Sequence, residues 1–448
     1  MLYYIDPGTG SMLFTIIIGA ASAGIYALRK ALVKARFVMS GGKQEKADDE
    51  RRLIAMFSDN KRYWNVFKPI CDELERRGMT ASYLTASPDD PALDAEYNHV
   101  TCEFIGEGNK AFARLNMLKA DIVVSTTPGL DVYQWKRSRD VKWYVHVFHA
   151  VGDVTLYRIF GLDYYDAVLL SGRFQEAQIR QLEQLRGLPA KEIALGGLPH
   201  MDALQKQLQD AGPAPEHPTT VLLAPSWGAG AILSKYGGSI IDALLKTGYH
   251  IIVRPHPQSF ASETELMDRL MSEHPESEQL EWNRDNDNFE VLRRSDIMVS
   301  DFSGVVYDFA FIFDRPVIYT EPNLDKSPYD AWWLDEEIWI YESLSKFGRQ
   351  LSMDDPGQLK QMIDECLTDT RFREGRDAAR DEGWACQGHA AATIVDYLQA
   401  KLEELSEPTE AEQPAEAPTG QDSAQSEEAT AGQHSEQLSK PPDEADAE

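Results

Sequence analysis

The chain reads as two doubly wound, Rossmann-like α/β domains facing each other across a cleft. Three observations predict this. Short β-branched apolar runs alternate with helix-length segments from residue 51 to about 402, the rhythm of βαβ units around mainly parallel sheets. A Pro/Ala/Gly-rich stretch at 211–218 interrupts the rhythm, which then restarts. Several of the apolar runs end on polar residues, and in an open α/β sheet ligands bind just beyond the carboxyl ends of the strands. With 448 residues, 43% of them hydrophobic, the chain is large enough for two cores.

The segment 12–28 (MLFTIIIGAASAGIYAL) carries no charge and is directly followed by Arg29, Lys30, Lys34 and Arg36, whereas Asp6 is the only charged side chain before it. Its length is at the short end of the ~17–25 residues that span a bilayer, and the positive-inside rule puts the body on the cytoplasmic side. A signal peptide would carry its positive charges ahead of the apolar run. We therefore expect residues 1–38 to form a single N-terminal membrane helix of a single-pass cell-membrane protein. An amphipathic anchor lying in the interface is the alternative. A polar linker at 39–50 follows.

The first domain is expected at 51–212. Strands are expected over 53–57, 81–84, 100–105, 122–125, 143–148 and 167–170, with helices over 64–77, 110–118 and 173–184; Gly78 and Gly187 act as helix stops. His149 falls just past the strand at 143–148. The second domain is expected at 213–402, with strands over 221–224, 250–253, 297–299 and 316–319. Its helices are expected over 240–246, 264–271, 305–313, 357–367 and 372–402. Arg254 and His256 follow the strand at 250–253, and Ser300, Asp301, Ser303 and Gly304 follow the one at 297–299. Ser300 or Ser303 can cap the next helix, whose first N–H groups then offer an anion site. A guanidinium, an imidazole and a helix start together suit a phosphate or pyrophosphate. Ser226 lies in a Gly-rich turn, 225–230, where backbone can approach a ligand closely. There is no GxGxxG fingerprint and no P-loop.

Charge excludes one class of partner. The net charge of −29 argues against nucleic acid, which calls for a basic stripe. Residues 406–448 account for −11 of it and have almost no large apolar side chains, so a disordered acidic tail is expected over 403–448. The four cysteines (Cys71, Cys102, Cys366, Cys386) show no CxxC spacing and fit reduced thiols rather than a zinc site.

Five segments in order resemble the CDP-glycerol glycerophosphotransferases, the polyol-phosphate primases and polymerases of teichoic acid synthesis. They are His149 with its turn, Gly197-Leu198-Pro199-His200-Met201-Asp202, Ala224-Pro225-Ser226-Trp227, Arg254-Pro255-His256-Pro257, and Ser300-Asp301-Phe302-Ser303 with Asp308 and Arg315-Pro316. The resemblance spans 143–323. It departs from the family pattern at Ala150-Val151-Gly152, at His200 where arginine is usual, and at Gly228. An arginine missing beside a pyrophosphate forgoes a contact of ~1.5–3 kcal/mol.

The resemblance implies a GT-B-like pair of domains. It also implies transfer of a polyol phosphate from a CDP-activated donor to a hydroxyl of a lipid-linked envelope-polymer acceptor, with release of CMP. His149 is then the candidate base, and His256, the second histidine of the catalytic pair, would steady the pyrophosphate together with Arg254. Arg254, Ser300, Asp301, Ser303, Gly304 and Ser226 would attend the donor phosphates, with Asp301 favoured as an orienting or capping group. No metal or cofactor is called for. A nucleotide-sugar glycosyltransferase of the same architecture is the alternative, and a membrane-tethered, non-catalytic scaffold is a second.

Overall fold

The computed structural model describes residues 51–407 apart from 286, 302, 321–324, 336 and 354–355. The expected anchor at 12–28, the linker and the tail beyond 407 lie outside the described residues. Among the described residues, no helix is long and apolar enough to cross a membrane.

Two parallel sheets organise the chain. The first contains β1 (Arg52–Ser58), β2 (Ala81–Thr85), β3 (Val100–Phe104), β4 (Ala120–Ser125), β5 (Val141–Val147), β6 (Ala167–Leu170) and β7 (Glu192–Leu195), ordered 3-2-1-4-5-6-7. The second contains β8 (Thr220–Leu223), β9 (His250–Val253), β10 (Leu280–Trp282), β11 (Ile297–Ser300), β12 (Val317–Tyr319) and β13 (Gly348–Gln350), ordered 10-9-8-11-12-13. Central strands such as β4, β8 and β11 are buried along their whole length, as strands covered on both faces must be. The direction in which successive strands are added reverses between β1 and β4 and again between β8 and β11, all of them parallel. These are the switch points at which such sheets open a crevice.

The structure corrects several sequence expectations. The short strands β7, β10 and β13 and the helix Pro199–Ala211 were not expected. The helix expected over 372–402 is two helices, Thr370–Gly383 and Ala390–Ser406. Between them Cys386 and Gly388 take positive φ values (55° and 76°), which no helix accommodates. The second helix runs to Ser406, so residues 403–406 are helical rather than the start of a disordered tail. It also returns to the first lobe: Ile394, Val395 and Leu398 pack with β1 and β4 residues such as Ile54 and Ile122. The second domain therefore does not extend to 402.

The lobes share one buried apolar cluster, running from Phe57 and Tyr144 to Leu222 and Met298. Carboxylates tie them together as well. Asp153 of the first lobe accepts the Trp339 and Ile340 N–H groups (2.8 and 3.0 Å) at the start of the helix Trp339–Phe347. Asp330 accepts the Phe160 N–H at 2.9 Å and the Arg186 guanidinium. The cleft is thus set between two lobes held by directional contacts.

Candidate active site

On the second lobe, the ends of β8 and β11 build a rigid frame. Ser300 is fully buried and its hydroxyl donates to the Ala224 carbonyl at 2.6 Å, which joins the two strand ends. This corrects its assignment to phosphate binding and to helix capping, because the hydroxyl is already engaged. Asp301 is 2% exposed and accepts the Ser226 N–H at 2.8 Å and the Ile232 N–H at 3.0 Å. The favoured orienting role matches these bonds; direct phosphate binding does not, since both oxygens are occupied and negatively charged. Gly228, at φ +96°, donates its N–H to Glu263 at 3.1 Å. Two carboxylates therefore pin the Gly-rich turn.

Replacing Asp301 with asparagine turns one acceptor into a donor facing a backbone N–H. The expected cost is ~1–3 kcal/mol in chemical unfolding, with a weakened donor KM because the 226–232 turn loses its shape. An unfolding midpoint equal to wild type would show that the turn does not depend on this carboxylate.

Ser303 and Gly304 lead into the helix Val305–Ile312. Gly304 is its N-cap, no side chain caps it, and a Cβ at Gly304 would meet nothing within 4 Å. An uncapped helix start of this kind can receive an anion. Arg254 is turned elsewhere. Its guanidinium donates to Asn283 Oδ1, and Asp285 and Asp287 oppose the downward push of burial on its pKa. His256 is half-buried, and its Nδ1 accepts the Gln258 N–H at 3.1 Å, which puts the ring proton on Nε2. Burial lowers its pKa, Arg62 adds to that, and Asp301 works against it.

The first lobe contributes His149, just past β5. Its Nδ1 lies 2.9 Å from Thr126 Oγ1, and its ring centre is 4.8 Å from that of Tyr63. Burial, then His200, then Arg62 bring its pKa down to about 4. Behind it the fully buried His146 holds Tyr157 Oη at 3.0 Å and is pushed by burial down to about 3. Arg62, in the turn after β1, acts on both His149 and His256. Sequence reasoning missed Arg62, Tyr63 and Thr126. The available signal was their place after β1 and β4, the strands flanking the first sheet's switch point.

A cavity of about 200 Å³ opens between the lobes. His149, Phe148 and Tyr157 line one side, and Asp301, Ser303, Gly304, Tyr307 and Tyr341 the other. Of the expected site residues it gathers His149, Asp301, Ser303 and Gly304. Arg254, His256, Ser226 and Ser300 stand outside its lining. Among the described residues no group of three or more His, Cys, Asp or Glu side chains is placed to hold a metal.

Residues 161–331 match the family described as CDP-glycerol:poly(glycerophosphate) glycerophosphotransferase. Over that segment the chain is similar to the CDP-glycerol glycerophosphotransferase family. The chain superposes on the wall teichoic acid polymerase TagF with a TM-score of 0.54 at 16% identity, covering 85% of this chain and 98% of that one. It also superposes on the UDP-GlcNAc 2-epimerase from Neisseria meningitidis bound to UDP-GlcNAc (0.50, 12% identity, 78% and 99% covered). The UDP-GlcNAc 2-epimerase from Methanocaldococcus jannaschii in complex with UDP-GlcNAc and UDP is similar to the same degree (0.50, 13% identity, 78% and 99% covered). At these identities the likeness is one of fold. No curated protein matches this chain.

Proposed function

We propose that this enzyme transfers glycerol phosphate, or another polyol phosphate, from a CDP-activated donor to a hydroxyl of a lipid-linked envelope-polymer acceptor, releasing CMP. The observation that carries the reading is the pairing, across one cavity, of a deprotonated His149 with the uncapped helix start at Ser303 and Gly304. The Thr126 contact admits either tautomer of His149; in the one the proposal takes, Nδ1–H donates to Thr126, which leaves Nε2 a bare acceptor for the proton of the attacking hydroxyl. The new bond forms between that oxygen and the donor's distal phosphorus. The bond from that phosphorus to the bridging oxygen breaks, and CMP leaves with the electron pair. Arg62 and His256 stand outside the cavity lining; Arg62, whose charge reaches both histidines, adds positive potential at longer range, and His256 Nε2–H is available to the part of the donor that extends beyond the cavity.

A pKa of about 4 describes His149 with the cavity free of ligand. An anionic phosphate arriving beside it favours the imidazolium and draws the pKa back toward neutrality, where a base works best. Among the described residues no lysine or arginine lines the cavity, so an uncharged, hydroxyl-bearing end of the acceptor fits next to His149 better than one of the acceptor's own phosphodiesters. We further propose that residues 12–28, with the cations after them, hold the enzyme at the cytoplasmic leaflet, where a lipid-linked acceptor is reached.

The test is CMP release from CDP-glycerol and CDP-ribitol by the detergent-solubilised full chain, with a membrane-lipid extract as acceptor. Release that depends on the extract supports the proposal. No release from either donor by folded protein overturns it and favours a sugar-nucleotide donor.

A further inference from the structure

Helix Pro199–Ala211 carries His200 in its first turn, and helix Val305–Ile312 carries Asp308 in its own. The two belong to different lobes, yet His200 Nε2 lies 3.7 Å from Asp308 Oδ1, an ion-pair rather than a hydrogen-bond distance. The imidazole is 11% exposed, and its Nδ1 is buried with no hydrogen-bond partner. A buried polar atom left unpaired costs ~1–3 kcal/mol, so a ring held this way calls for an explanation beyond packing.

Both helices are firmly seated. Asp202, two residues after His200, accepts the Gly388 and Ala390 N–H groups at 2.8 Å each, and Met201 is fully buried. Phe309 and Ala310, next to Asp308, are fully buried too. A contact between two such helices transmits position instead of absorbing it. Asp308 also lies one turn beyond Gly304, at the start of the helix that faces His149 across the cavity. Asp153, bonded to the start of helix Trp339–Phe347, is the polar tie between the lobes on another side of that cavity.

We propose that His200 is a positioning residue which, by reaching Asp308 across the cleft, sets the spacing between His149 and the Ser303–Gly304 turn. The proposal rests on the transfer reading above for what that spacing serves. Position 200 is also where the chain departs from the related motif, which carries arginine.

His149 supplies an independent readout. The groups facing it are Arg62 and Tyr63 from the turn after β1, Thr126 after β4, His146 on β5, His200, and Asp301 and Tyr157 in the cavity wall. His200 is among the groups that lower the His149 pKa, so a neutral side chain in its place eases protonation of His149. The acid limb of the rate profile then moves to higher pH in His200→Gln, whereas His200→Arg, with its permanent charge, leaves it low.

The experiment uses the full chain as wild type, His200→Gln, His200→Arg, Asp308→Asn and the Gln/Asn double variant. It reads kcat and donor KM against pH, and thermal melting. Misplacing reacting groups by about 1 Å costs ~10²-fold, so the two neutral single variants should lose ~10–100-fold in kcat with donor KM little changed. The double variant should lose no more than either single, and His200→Arg should recover most of the rate. Losses that multiply, an arginine variant no better than glutamine, or an unmoved acid limb overturn the positioning role. Melting needs no activity, and additive shifts there overturn the His200–Asp308 link whatever the reaction proves to be. Absent CMP release with coupled melting would count against the transfer reading, and against the role assigned to the spacing, while leaving the contact itself intact.

Discussion

His149→Ala is expected to lower CMP release by ~10²–10⁴-fold, the range for loss of a well-placed general base. The side chain is partly open to the cavity and its one side-chain hydrogen bond is to Thr126, so the variant should fold. Full activity in a folded His149→Ala protein would remove this residue from the mechanism. The pH dependence has a definite sign. His149 at about 4 and His146 at about 3 titrate below the ordinary imidazole range. Between the unfolded value of about 6.5 and those values, the unfolded chain binds more protons than the folded one. Stability therefore falls as pH drops through that window, by up to ~1.4 kcal/mol per pH unit for each histidine. Urea midpoints measured at about pH 7, 6 and 5 test this, and His149→Ala should flatten the slope.

Asp330→Ala is expected to give the largest loss of stability, ~3–5 kcal/mol, the cost of breaking a buried ion pair on one side. Asp330 is 2% exposed and the Arg186 side chain 6%. Without Asp330, Arg186 keeps one carboxylate among the described residues, Asp163 at 2.6 Å, beside the Phe160 and Trp333 rings, and the Phe160 N–H loses its acceptor. Burial pushes the Asp330 carboxyl up while Arg186 pulls it down, so the charged form is held by that neighbour. Phe160 sits at φ +69°, a conformation that a non-glycine residue keeps only when its surroundings enforce it. Loss of the carboxylate should therefore free the loop from Tyr157 to Gly161, and with it one wall of the cavity. Chemical unfolding, and proteolysis at 157–164, should both report the change. A midpoint within about 1 kcal/mol of wild type would contradict it. Asp330→Asn, which keeps one acceptor oxygen, should lose less.

Much of the architecture was legible in the chain. The runs at β4, β8, β9 and β11 are short, apolar, rich in β-branched residues and buried over most or all of their length, and such strands announce themselves without any partner. The strands that escaped notice lie toward sheet edges. β13 is only Gly-Arg-Gln, and it pairs because Gly348 can pass beneath Val317, where a Cβ would stand 1.9 Å from the carbonyl oxygen. That is a demand of the neighbouring strand and leaves little local pattern. The break between Gly383 and Ala390 is similar. Trp339 presses on Gly383, and Asp202 caps the helix that follows from far along the chain.

The site divides along the same line. Residue types at strand ends, His149 and the Ser303–Gly304 turn among them, follow from local periodicity and from the rule that parallel strands present their carboxyl ends to ligand. Which of those polar groups remain available to a ligand was decided in three dimensions. Ser300 and Asp301 are spent on Ala224, Ser226 and Ile232, some seventy residues away, and Arg254 is held by Asn283. Arg62 near both histidines, and His200 against Asp308, depend on how the two lobes meet. Strand and helix signals arise from a residue and its near neighbours, and so can be read along the chain. A hydrogen bond or ion pair between distant segments depends on distances that only the packed lobes define.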